Sequence, residues 1–301
     1  GQIVETGLII HGALFRGSPK VRKAHDLYLR VEDTTMAYHE DWPVVESVKG
    51  TVHVNNYFVR SNEIAGRVLD TDILSARVDV PISTDGAVDT VLVNGDGTGP
   101  FSDIVRALNE TPLSEITGHV ARQWLSTGEM QARIKLNVPV GSRKDEEVHT
   151  EFDTSFVDSS LKMPEYDLQI ESLQGSAHYS SEKGLSSDGF EGVSFNEPVE
   201  GLIQTHLQGD GGEIEVSVNG SISADALFSW SDQILLSRAD GMLDYRAGIH
   251  VPFGGKRDET YVIATSDLTG MTLDLPAPLT KSDVNTHRDF EYRQYFQDNG
   301  F

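Results

Sequence analysis

The sequence predicts a mostly β protein built on one long, twisted antiparallel sheet, with one or more short helices at its side. Three observations predict it: strand-like segments that recur, apolar residues that alternate with period two, and turn chemistry between the runs. Glu46-Ser47-Val48-Lys49-Gly50-Thr51-Val52-His53 returns as Glu171-Ser172-Leu173-Gln174-Gly175-Ser176-Ala177-His178, an offset of 125 residues. Val91-Leu92-Val93-Asn94-Gly95 returns as Val216-Ser217-Val218-Asn219-Gly220 at the same offset. A third pair, at a different offset, matches Gly128, Arg133, Val138, Pro139 and Gly141 to Gly241, Arg246, Val251, Pro252 and Gly254. Self-similarity at a long period points to an array of one supersecondary unit.

Each run shows the alternation in turn. Ala76, Val78 and Val80 face opposite Arg77 and Asp79, and Val91 and Val93 belong to the recurring strand. Met130, Ala132, Ile134, Leu136 and Val138 alternate with Gln131, Arg133, Lys135 and Asn137. Val148, Thr150, Phe152, Thr154 and Phe156 form the next run. Ile203, Thr205 and Leu207 oppose Gln204, His206 and Gln208; Ile214, Val216 and Val218 oppose Glu213, Glu215, Ser217 and Asn219. Leu243, Tyr245, Ala247, Ile249 and Val251 oppose Asp244, Arg246 and His250. Such strands place one set on an apolar face and the other in water, which is the pattern of a half-buried antiparallel sheet.

Turns are expected at Asn94-Gly95-Asp96-Gly97, Ser126-Thr127-Gly128, Gly184 to Gly189, Gly209-Asp210-Gly211-Gly212 and Gly254-Gly255-Lys256. One helix is expected over Ser102–Asn109, with Ser102 as N-cap and Ile104, Val105 and Leu108 as its apolar stripe. Residues 1–285 read as a repetitive β segment, the repeat covering about 38–141 and 163–254. Residues 286–301 read as a frayed or cut tail. Gly1 in place of an initiator Met leads us to expect a piece of something longer. One short helix leaves the apolar face of the sheet largely uncovered. Either the sheet folds onto itself as a sandwich or barrel, or it curls into a trough whose lining is left for a ligand.

Composition narrows the partners. Lys plus Arg number 24 against 47 Asp plus Glu, a net charge of −23, which argues against nucleic acid and anionic head groups on the outer surface. Cysteine is absent, so disulfides and thiolate metal sites are excluded. No run of about 18 apolar residues reads as a membrane span. Asn94-Gly95-Asp96-Gly97-Thr98-Gly99 follows a strand and precedes a helix, but proline stands where a dinucleotide fingerprint needs its third glycine. Gly254-Gly255-Lys256 lacks the flanks of a P-loop, and no Gly-x-Ser-x-Gly elbow occurs. The ten histidines show no H-x-x-x-H spacing. His53 and His178 fill one slot of the repeat on its polar side, which suits a structural surface role. Trp42-Pro43 and Trp124 read as packing anchors. No catalytic constellation, cofactor site or metal site stands above background, so no enzyme is expected.

Four segments carry a resemblance: Tyr38 to Gly50 (YHEDWPVVESVKG), Val88 to Leu113 (VDTVLVNGDGTGPFSDIVRALNETPL), Met130 to Gly141 (MQARIKLNVPVG) and Thr265 to Lys281 (TSDLTGMTLDLPAPLTK). In order and spacing the chain resembles the AsmA-like family of large bacterial envelope proteins. That resemblance implies a long sheet curled into an open hydrophobic groove, the β-taco or repeating β-groove. It also implies an inner-membrane anchor outside this segment, a location in the periplasm of a Gram-negative bacterium, and phospholipid acyl chains as ligand. The groove lining expected from alternation is Val78, Val80, Val91, Val93, Met130, Ala132, Ile134, Leu136, Val138, Phe152, Phe156, Ile203, Leu207, Ile214, Val216, Val218, Leu243, Tyr245, Ala247, Ile249 and Val251. Two other classes compete with a lipid-conducting segment: a structural β-scaffold or protein-binding module of the envelope, and a carbohydrate-processing β protein.

Overall fold

The computed structural model describes residues 1–12, 24–37, 42–111, 113–117, 121–209, 211–254 and 259–296. Residues 38–41 of the first matched segment, Pro112 of the second, Asp210, the Gly255-Lys256 tip and residues 297–301 lie outside these. Among the described residues, seventeen strands join one antiparallel sheet, as alternation requires. Strands β1 (Gln2–His11), β2 (Ala24–Met36), β3 (Val45–Asn55), β4 (Phe58–Val68), β5 (Thr71–Pro81) and β6 (Thr90–Pro100) form a meander, each paired with the next. Helices α1 (Ser102–Glu110) and α2 (Leu113–Ile116) interrupt it. Then come β7 (Leu125–Pro139), β8 (His149–Met163) and β9 (Leu168–Ser180). The short β10 (Gly184–Ser186) and β11 (Phe190–Ser194) pair with β9, and β12 (Glu197–Gln208) and β13 (Gly211–Ser223) follow. Helix α3 (Ala224–Ser231) leads into β14 (Ala239–Phe253), β15 (Thr260–Ser266), β16 (Met271–Leu273) and β17 (Phe290–Phe296). The chain divides into two compact units. One holds Gly1–Asp103, Met130–Thr154 and His178–Glu182; the other holds Ile104–Glu129, Ser155–Ala177 and Lys183–Phe301.

Several expectations are corrected. Asn94 to Gly99 is no turn: it lies within β6. Its glycines serve close packing, since a Cβ on Gly97 would approach the Asp72 carbonyl oxygen at 3.0 Å and one on Gly99 would meet Thr71 Oγ1 at 2.4 Å. Ser126-Thr127-Gly128 likewise sits inside β7. A second well-formed helix, α3, was not anticipated; Ser223 caps it by accepting a hydrogen bond from the Ala226 amide. The tail is not frayed over residues 290–296, which pair with β15 as β17. Phe290, Tyr292, Tyr295 and Phe296 supply the aromatic content that favours strand.

Several positions matched in the sequence share a backbone conformation. Matched Ser47 and Ser172 both hold a left-handed conformation, φ 51° and 48°. Gly128 and Gly241 do the same near the starts of β7 and β14, φ 108° and 107°. Asp33 within β2, Asp158 within β8 and Leu268 just beyond β15 take φ values of 51°, 51° and 53°. A strand follows a helix at β7 and again at β14. Register shifts cross β2 to β5, between Val31 and Thr34, Glu46 and Lys49, Ser61 and Ile64, and Ile73 and Ser75. Bulges of this kind bend the strand and increase its twist.

The firmest packing lies where helices and short turns connect strands. In the first unit, buried Asp103 accepts hydrogen bonds from the Asp70 amide at 2.9 Å and Thr71 Oγ1 at 2.7 Å, tying the start of α1 to the β4–β5 turn. In the second, Ile222, Ala224, Leu243, Leu268 and Met271 form a dry cluster, with Phe195, Leu227 and Tyr245 against it. The segment behind Met271 is pinned by Lys281, itself buried. Its ammonium donates to the carbonyls of Met271 (2.6 Å), Asp283 (2.9 Å) and Val284 (3.3 Å), so carbonyl dipoles stabilise a buried cation. Lys281→Met keeps the length but removes every donor, and we expect a loss of about 1.5–3 kcal/mol in urea unfolding. Gly241→Ala should do as much or more, because its Cβ would lie 2.2 Å from the Gly270 carbonyl oxygen. Gly209→Ala, also at positive φ but with nothing within 4 Å, should lose only about 1 kcal/mol in the same assay.

Candidate apolar face

In an antiparallel ladder, directly opposed residues project from the same face. In the first unit one row therefore runs Leu8, Leu27, Val54, Val59, Val80, and the next runs Thr6, Leu29, Val52, Ser61, Val78, Val93. A third pairs buried Ala76 with buried Gly95, over which Ile134 leans: a Cβ on Gly95 would meet Ile134 Cγ2 at 3.4 Å. Val78, Val80, Val91, Val93, Ala132, Ile134, Leu136, Val138 and Phe152 are all half-buried, and Met130 is buried. Leu27, Leu29, Val52, Val54 and Val59 join these rows although the sequence reading left them out. Their alternation was the available signal.

In the second unit the rows are Val199–Gly220–Tyr245, Gly201–Val218–Ala247–Ala264, Ile203–Val216–Ile249–Val262, Thr205–Ile214–Val251 and Leu207–Gly212–Phe253. Ile203, Val216, Val218, Tyr245, Ala247 and Ile249 are half-buried. Phe156, Ile214, Leu243 and Val251 are fully buried, so they are core at these heights of the strand, and Leu207 is 57% exposed. Tyr245 lies across Gly220, where a Cβ would come within 2.9 Å of its hydroxyl. Burial pushes the Tyr245 phenol above its ordinary pKa.

Charge is kept to the other face, where cross-strand pairs take it up. His53 Nε2 lies 3.0 Å from Asp26, and in the matching slot His178 Nδ1 lies 2.9 Å from Asp153. Arg133 meets Asp96 at 2.8 Å and Lys135 meets Glu151 at 2.9 Å. His250 sits 2.8 Å from Glu213 and stacks on Tyr261. A cavity of about 700 Å³ on β1 to β4 is lined by Glu5, Arg30, Glu32, Lys49 and Glu63 besides Leu29 and Val31. Its mixed charge sets it apart from the apolar rows. Among the described residues no group of His, Asp and Glu is placed to hold a metal. None of their helices is long and apolar enough to cross a membrane.

These features define a class: an antiparallel β protein whose strands keep one face uncharged and only partly covered. The chain belongs to the YhdP family, whose model, described as YhdP protein, matches residues 1–289. A curated relative, the intermembrane phospholipid transporter YhdP of Escherichia coli (strain K12), is 20% identical over 260 residues. The match covers 85% of this chain and 20% of the relative, so the chain spans about a fifth of that protein's length. No solved structure matches.

The polar face makes a pH prediction. Asp79 is held below the usual carboxylate pKa, chiefly by its hydrogen bond to Arg77; burial opposes this, and the hydrogen bond and charge of Arg60 reinforce it. A depressed carboxylate contributes stability above its unfolded pKa of about 3.9 and loses it as pH falls through the lower folded value. Asp79→Asn should therefore be less stable than the parent by a constant margin from pH 7 to about 4. That margin should vanish on further acidification, as read by the denaturation midpoint at each pH.

Proposed function

We propose that this chain is a non-catalytic stretch of a lipid conduit, sheltering phospholipid acyl chains on its apolar face as they pass between inner and outer membrane. It would do so in the periplasm, within a longer protein anchored in the inner membrane. The observation that carries this reading is the set of registered, half-buried apolar rows, with charge confined to the opposite face. Membership of the YhdP family and the relative named as an intermembrane phospholipid transporter support the choice of ligand. Dimensions agree. Four to six residues of strand span about 14–20 Å, close to one leaflet of a hydrocarbon core of about 30 Å. Because each CH₂ contributes about 0.8 kcal/mol on leaving water, an acyl chain moves readily from bilayer to protein only if the apolar lining is continuous.

Neighbouring positions on β7 test it. Ile134 belongs to the apolar face, whereas Lys135 is exposed and pairs with Glu151. Ile134→Asp places a charge in a lipid-like environment, worth about 2.5–3.5 kcal/mol, and should lower local lipid occupancy about a hundred-fold. Lys135→Asp loses only a surface pair and should be nearly silent. A photo-crosslinker at position 134 should capture phospholipid and one at 135 should not. Equal capture at both would make the face ordinary core and favour a structural scaffold.

A further inference from the structure

We propose that lipid lies along the strands of the second unit with one polarity, its acyl termini towards α3 and its head group at the β12–β13 hairpin. This rests on the conduit reading and adds an orientation to it. At the α3 end the apolar face is closed: Ile222, Leu243, Leu268 and Met271 are all 7% exposed or less. The strap that completes this closure is held by three hydrogen bonds from Lys281. From there exposure rises along β12. Val199 is 1% exposed, Ile203 and Thr205 are half-buried, and Leu207 is 57% exposed. All four project from one face. On the adjoining strands Ile214 and Val251 are buried again, so the opening ramp follows β12. It ends at exposed Gln208 and Gly209.

In the first unit β3 and β5 show the same trend, while on β4 Ser61 is buried and Val68, nearer the β4–β5 turn, is half-buried. On β3, Val45 and Val48 are buried while Val52 and Val54 are half-buried; on β5, Ala76 is buried while Val78 and Val80 are half-buried. In the second unit the closed end is the one at which α3 joins β13 and β14; in the first it is the end of the β4–β5 turn, where Asp103 binds Asp70 and Thr71. A polar head group driven into the closed end would lose its water without finding partners, whereas a terminal methyl loses nothing there. The opposite end of the strands gives the head group water and exposed polar residues.

The experiment uses the intact protein and two phosphatidylethanolamine probes in vesicles, one with a diazirine at the acyl terminus and one with it on the head-group amine. Labelled residues are mapped by peptide mass spectrometry. The terminal probe should favour the segment around Val199 and Tyr245, and the amine probe the segment around Leu207 and Gln208. Each should do so by about ten-fold or more, given the penalty for burying an unpaired polar group. Identical or reversed distributions on the apolar face would overturn the orientation while leaving the conduit standing. No labelling of that face by either probe would overturn both.

Discussion

An antiparallel strand satisfies its backbone only through its two neighbours, and its apolar face only through whatever covers it. In this protein the first demand is met thoroughly and the second in part. Among the described residues, pairing joins seventeen strands into one sheet, including β6 to β9 and the short β10 and β11 against β9. The described helices are short; α3 helps cover one end of β13 and β14, and much of the face is left half-buried. The division of charge follows from this. A carboxylate or ammonium on the partly covered face would be poorly solvated, and the pairs Asp26–His53, Asp96–Arg133, Lys135–Glu151 and Asp153–His178 all stand on the other.

Closure at the helical end is achieved by different means in the two units. In the first, a single carboxylate, Asp103, holds the β4–β5 turn through an amide and a hydroxyl. In the second, apolar contact dominates, and a buried charge, Lys281, is solvated by carbonyls. Both solutions obey the rule that a buried polar group needs its partners. That different chemistry serves equivalent places fits a repeat in which backbone conformation recurs more faithfully than side chains. Ser47 and Ser172 keep their left-handed turn while Val48 has become Leu173.

The antiparallel class, the strands and the sidedness of each were legible in sequence, because alternation with period two is a local property. Three features were misread for identifiable reasons. Asn94 to Gly99 carries turn-like residues, but its glycines answer the close approach of Thr71 and Asp72 on the neighbouring strand, which sequence does not display. Helix α3 has only eight residues and a broken apolar stripe, so tertiary packing against Leu243 and Met271 sustains it more than propensity does. Residues 290–296 look like a polar tail until β15 provides an edge for them to pair with.

For the candidate face the boundary falls in the same place. Sequence by itself determined which side of each strand Ile134, Val216 or Ile249 occupies, since successive Cβ atoms must point to opposite faces. It did not determine that Leu243, Phe156 and Val251 are dry, that Leu207 stands open, or that Ile203 and Val218 lie between these extremes. Only the tertiary structure decided that. The depth of a side chain depends on what lies over it, and that covering comes from segments distant in sequence, as Met271 does for Leu243 and Asp103 for Thr71.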